Sequence, residues 1–194
     1  MRAFSSLVAA SAALALLGAS PGGAAAQAAD TGDAAASAAR VSQAYMQMRG
    51  EALTTGPEEL QFERRRPRVW GAIMELGLST GGVATLVVFA DGTTSLYSSA
   101  GGGIVGAGPQ RDVRHASDAF LRAAAAHERM SAAAADHPLP APGRVRFYLR
   151  TNAAALGAEA GEDELKAGGH PLSALYTAGQ AVLAEVRPLS EYTP

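Results

Sequence analysis

The sequence predicts an α+β fold: a five-stranded antiparallel sheet in the order β-β-β-α-β-β-α, with helices packed on one face and an N-terminal helix ahead of it. Three observations carry that prediction. Between residues 69 and 99, three apolar or alternating segments are joined by connections too short for a crossover helix. A long segment with apolar residues at helical spacing comes next, and then two further strand-like segments and a second such helix. Runs of strands interrupted by single helices give sheets with helices layered against them.

Element by element, Val41, Tyr45, Met48 and Ala52 recur at helical spacing and predict an N-terminal helix from about Ala39, weakened by Gly50 and broken at Thr54-Thr55-Gly56-Pro57. Pro57-Glu58-Glu59-Leu60 suits one further turn, since proline at the first helical position and early acids match the helix dipole. Arg64-Arg65-Arg66-Pro67 closes this arm. Val69 to Met74 reads as a buried strand, 77–82 as a turn, and Val83 to Phe89 as the second strand. Asp91-Gly92 predicts a tight hairpin with positive φ at both central residues. Thr93 to Ser99 returns as the third strand, and the glycine-rich stretch 100–108 leaves the sheet.

A helix is predicted from about Gln110 to Ala134, with Val113, Ala116, Phe120, Leu121 and Ala124 inward. Proline-rich residues 138–143 end it. Val145 to Arg150 alternates as a half-buried strand, and Ala155 to Ala160 is its short partner. Glu162-Asp163-Glu164 reads as a solvated loop. Pro171 opens a last helix with Leu172, Leu175, Tyr176, Gly179, Val182, Leu183 and Val186 on one face, and Pro188 ends it.

Ahead of these elements, Met1-Arg2 and an apolar run from Ala3 to Gly18 precede Ala26-Gln27-Ala28, a small-x-small site. That order is a secretory signal, with cleavage expected after Ala28 or Ala26. The alternative is an uncleaved N-terminal membrane anchor. No later segment approaches the roughly 20 apolar residues of a span. The expected organisation is therefore a signal peptide (1–28), a flexible spacer (29–38), a helical arm (39–66), the α+β domain (67–187) and a tail (188–194). The expected location is periplasmic or secreted.

Composition narrows the function classes. A net charge of −2 gives no field for a phosphate backbone, and at 6% aromatic residues a base-stacking platform is not expected. The chain has no cysteine, which removes disulfides, thiolate zinc sites and a cysteine nucleophile.

The most distinctive stretch is Gly101-Gly102-Gly103-Ile104-Val105-Gly106-Ala107-Gly108, in which Gly101, Gly103 and Gly106 fit G-x-G-x-x-G. A Rossmann phosphate loop needs a buried parallel strand before it and a ribose-binding acid after its unit. The preceding strand here is polar and hairpin-joined, and Thr151-Asn152 stands where the acid would be. Gly101, Gly102, Gly103 and Gly106 remain the candidate ligand-binding residues, because an exposed glycine loop near a helix start accepts an anion or a partner. Gly77-Leu78-Ser79-Thr80-Gly81 is a literal G-x-S-x-G, but a nucleophile elbow requires a helix directly after the serine. His115 or His170 with Asp118 or Asp163 would have to complete it. His115, His127, His137 and His170 have no metal-ligand spacing, and His127-Glu128 lacks a second histidine one turn on. Arg144, Arg146, Tyr148 and Arg150 share a strand face that suits an acidic partner, unless Glu159 and the acids at 162–164 neutralise it. Trp70 is expected in the core, and Asp91 in its turn.

The segments Val69-Trp70-Gly71, Asp91 to Tyr97, the glycine run 101–108 and Arg146-Phe147-Tyr148 together resemble a family of uncharacterised bacterial proteins over about residues 67–187. The resemblance implies a shared fold and no assigned activity. In element order alone the domain is similar to the profilin, longin and roadblock group, which carries no function. The expected role is a non-catalytic binding or interaction domain with a protein partner and no cofactor. The alternative is a hydrolase or nucleotide- or phosphate-binding enzyme using Ser79 or the Gly101–Gly108 loop. The element after Gly81 separates the two: a helix favours the enzyme and a strand the binding domain.

Overall fold

The computed structural model describes residues 43–62 and 66–192. The expected signal peptide, the spacer, Val41 and Arg64-Arg65 lie outside the described residues. The fold is α+β with an antiparallel sheet, and the sheet has seven strands rather than five. These are β1 (Val69–Gly77), β2 (Val83–Phe89), β3 (Thr94–Ser98), β4 (Gly103–Ile104), β5 (Ala132–Ala133), β6 (Arg144–Thr151) and β7 (Ala155–Gly161). Their order across the sheet is β4-β3-β2-β1-β6-β7-β5, and each neighbouring pair is antiparallel. The five long strands are the ones the sequence predicts. The two additions are two-residue edge strands inside the glycine run and an alanine run, where a two-residue ladder leaves no periodicity to read.

Among the described residues, four α-helices accompany the sheet: α1 (Gln43–Thr54), α2 (Arg111–His127), α3 (Glu162–Lys166) and α4 (Ser173–Val186). The helix predicted to Ala134 stops at His127. After a 3₁₀ turn, Ala132-Ala133 leaves helical geometry to pair with Leu156 and Gly157, so sheet pairing overrides alanine's helix propensity. The acidic loop predicted at 162–164 is the first turn of α3. Its Glu164 carboxylate accepts from the Gly161 N–H at 3.2 Å, and three early acids face the positive helix end. The Asp91-Gly92 connection is wider than predicted. Only Gly92 takes a positive φ, and the Asp91 carboxylate accepts from the Thr93 N–H at 2.9 Å.

All nine residues of β1 are buried. A strand with one wet face would alternate, so both faces of the sheet centre must be covered. α2 and α4 cover one face. Val113, Phe120 and Ala124 of α2 and Leu175, Val182 and Leu183 of α4 meet Ala72, Met74, Leu86, Val88, Phe147 and Leu149. The expectation that helices cover one face alone is corrected here. α1 lies on the opposite face, where Tyr45, Ala52 and Leu53 join Trp70, Ile73, Val87, Phe89, Tyr97 and Tyr148. A register shift between Val69 and Gly71 supplies the change of side, sending Val69 to the α2–α4 face and Trp70 to the α1 face.

Candidate functional site

Two of the candidate stretches meet at one end of the sheet. β1 ends and β2 begins there, and their connecting turn holds Leu78, Ser79 and Thr80, all exposed. The Leu78 N–H donates to the Gly82 carbonyl and the Gly81 N–H to the Leu78 carbonyl. The turn from β3 into β4 is its neighbour, because the Val83 N–H donates to Ser99 Oγ and the Ser99 N–H to the Val83 carbonyl, each at 2.8 Å. Gly101 and Gly102, with φ of 100° and 78°, shape this second turn.

Gly103 lies in β4, paired with Tyr97, and Gly106 lies farther along, where its N–H faces Ser95 Oγ at 3.4 Å. The Ala107 N–H donates to the Thr94 carbonyl, and the Gln110 N–H to the Ala107 carbonyl. The G-x-G-x-x-G stretch is thus a small edge hairpin with a return along β3. Ala107 to Gln110 separates it from α2, so it does not open that helix.

Ser79 is followed by β2, so its turn is a β-hairpin. The proposed bases are placed elsewhere. His115 is exposed in α2, and His170 Nδ1 accepts from the Leu172 N–H at 3.1 Å ahead of α4. The His127 ring bridges the Ala123 and Pro171 carbonyls at 2.7 and 2.9 Å, tying the end of α2 to the approach of α4. Among the described residues, no group of three or more His, Cys, Asp or Glu side chains is placed to hold a metal ion.

The arginine face of β6 divides in two. Arg144 and Arg146 both pair with Glu159 on β7, as cross-strand geometry favours. Burial pushes the Glu159 carboxyl up, but its bonds to Arg144 and Arg146 outweigh that and hold it below its usual range. Arg150 pairs differently. Its Nη1 and Nη2 donate to the carbonyls of Leu53 and Thr55 at 2.6 and 2.8 Å, capping the C-terminal end of α1. The same guanidinium lies 5.2 Å over the Trp70 ring.

The densest polar cluster is one the sequence reading missed, and it lies under α1. Glu75 of β1 is fully buried and takes Arg49 of α1 in a fork, Nε to Oε1 at 2.6 Å and Nη2 to Oε2 at 2.9 Å. Arg49 Nη2 also reaches the His137 carbonyl at 2.8 Å. Tyr45 OH and Thr85 Oγ1 lie 2.7 Å apart beside this pair, and burial pushes the Tyr45 phenol up to about 12. The Pro138 carbonyl accepts from Arg146 and Tyr148 at 2.9 and 3.1 Å, which lays segment 134–140 along the same face. Beneath the cover, Trp70 Nε1 and Arg150 Nε are buried with no hydrogen-bond partner among the described residues.

Two sequence features mark its members singly, though not their pairing. Arg49 sits four residues after Tyr45 and three before Ala52, on the inward stripe of α1. Glu75 is the lone charge inside an apolar strand and therefore needs a buried cation.

No family model, no curated protein and no solved structure matches the chain.

Proposed function

We propose that this protein is an exported, non-catalytic binding domain that engages a protein partner. The observation supporting it best is where the interior polar chemistry is spent. Glu75, Arg49, Arg146, Arg150, Tyr45 and Tyr148 bond to one another, to Thr85, to Glu159 or to backbone carbonyls, holding α1 and segment 134–140 against the sheet. A catalytic centre needs a nucleophile within reach of a base that is itself oriented, with room for substrate. Ser79, on a strand-to-strand turn, has no histidine bonded to it among the described residues. Export rests on the order of the first 28 residues, from the basic start through the apolar run to Ala26-Gln27-Ala28. No helix among the described residues is long and apolar enough to cross a membrane.

The test is turnover. The purified protein, offered esters, peptides, glycosides and phosphoesters, is expected to show no rate above the buffer blank. A rate that Ser79→Ala or Gly103→Ala abolishes would overturn the reading in favour of the enzyme.

A further inference from the structure

α1 is bound to the sheet in a way that favours release. Gly50 stands in the middle of this helix, and a Cβ built there meets nothing within 4 Å. Alanine would fit, so packing does not require the glycine, which weakens the helix about fivefold. Within the described residues α1 has twelve residues, with no acid in the first turn and no base in the last. That is shorter than helices that persist alone in water. Its hold on the sheet includes a buried ion pair, a type of contact whose desolvation cost offsets much of its attraction. Trp70 Nε1 and Arg150 Nε lie unpaired beneath it, and a buried polar group without a partner weakens the closed state.

The face it covers has a defined chemistry. Glu75, fully buried, demands a cation, and Arg150 meets no carboxylate within ion-pair distance among the described residues but takes helix-end carbonyls instead. Trp70, Phe89, Tyr97 and Tyr148 form the aromatic floor between these charges. A segment that fits must bring an arginine about one helical turn ahead of a free helix C-terminus, as Arg49 precedes Leu53 and Thr55.

We infer that α1 is a displaceable latch, and that the face beneath it receives a helical segment of a partner protein with this arginine-then-helix-end chemistry. The inference rests on the binding-domain reading and names its site. A second copy of the chain carries the same segment, but the link after α1 is tethered to its own body. Leu60 is buried in the same cluster, and Asn152 holds the carbonyls of Pro67 and Arg68. The arm therefore peels from its own sheet more readily than it crosses to another.

Two measurements on the full chain test the latch. In hydrogen exchange, the amides of 45–54 are expected to exchange faster than those of β1 and β2. Gly50→Ala should slow the arm about fivefold and leave the strands unchanged. In fluorescence anisotropy, a labelled peptide of residues 43–56 is expected to bind the chain in trans. It should bind Gly50→Ala about fivefold more weakly, since apparent affinity scales with the open fraction. The same peptide carrying Arg49→Met should not bind.

Arm amides as protected as the strands would overturn the proposal, and so would absence of peptide binding. A dimer that exchanges arms, seen by light scattering, would overturn the partner in favour of a second copy. Turnover that leaves peptide binding intact would defeat the non-catalytic reading without touching the latch.

Discussion

Arg49 and Glu75 make the energetics of the α1 face specific at the scale of single residues. Removing one member of a buried pair strands the other charge, at a cost of about 3–5 kcal/mol to the closed state, whereas replacing both with apolar groups is close to neutral. Arg49→Met is therefore expected to lower the stability of α1 on the sheet by that amount, and Arg49→Met with Glu75→Leu to recover most of it. Urea unfolding combined with exchange of the 45–54 amides measures both, and a double variant no more stable than Arg49→Met would contradict the rescue. Some residue roles were legible in the sequence because they are local or cross-strand: Asp91 holds its turn, and Glu159 neutralises Arg144 and Arg146. The Arg49–Glu75 pair was not, because its partners are 26 residues apart on different element types, and spacing records periodicity but not which face meets which.

Among the elements, close approach decides the packing of α4. Gly179 faces β1 so tightly that an added Cβ would lie 2.6 Å from Met74 Sδ and 3.2 Å from Phe120. Gly179→Val is expected to cost about 1–3 kcal/mol through overpacking, read as a lower urea midpoint with an unchanged m-value. An unchanged midpoint would mean that α4 moves outward freely. The long elements were readable because their patterns were long: nine residues of β1, the α2 stripe and the α4 stripe from Leu172 to Val186. The misreadings cluster in short or compositionally flat stretches, namely β4, β5, α3 and the end of α2. At β4, β5 and the end of α2 sheet pairing outweighs local preference, and α3 rests on the local bond from the Gly161 N–H to the Glu164 carboxylate.

For the whole molecule, acid should loosen the α1 face before it unfolds the sheet. Burial lowers the pKa of His137 below its usual 6.5, helped by the positive charges of Arg49 and Arg150 and opposed by Glu75 and Asp136. Its Nε2 is also buried without a partner, and its ring lies 5.0 Å from that of Tyr148. A histidine that resists protonation when folded contributes stability that is complete above the unfolded pKa and is lost as pH falls below about 6.5. Glu159, held low by Arg144 and Arg146, gives way in a separate window below its usual 4.5. The melting temperature is expected to fall in two steps as pH drops, and His137→Asn should remove the upper one. A single step near pH 4 in both proteins would contradict this (that pH is an approximate figure, set by the carboxylate range).

Trp70 is the chain's single tryptophan, and it sits directly beneath the arm. The molecule therefore carries its own optical gauge for that face, with no label needed. Indole emission moves to longer wavelength when water reaches the ring, so any solute, acidity or binding event that lifts α1 should register as a change of colour while the sheet's circular dichroism stays constant.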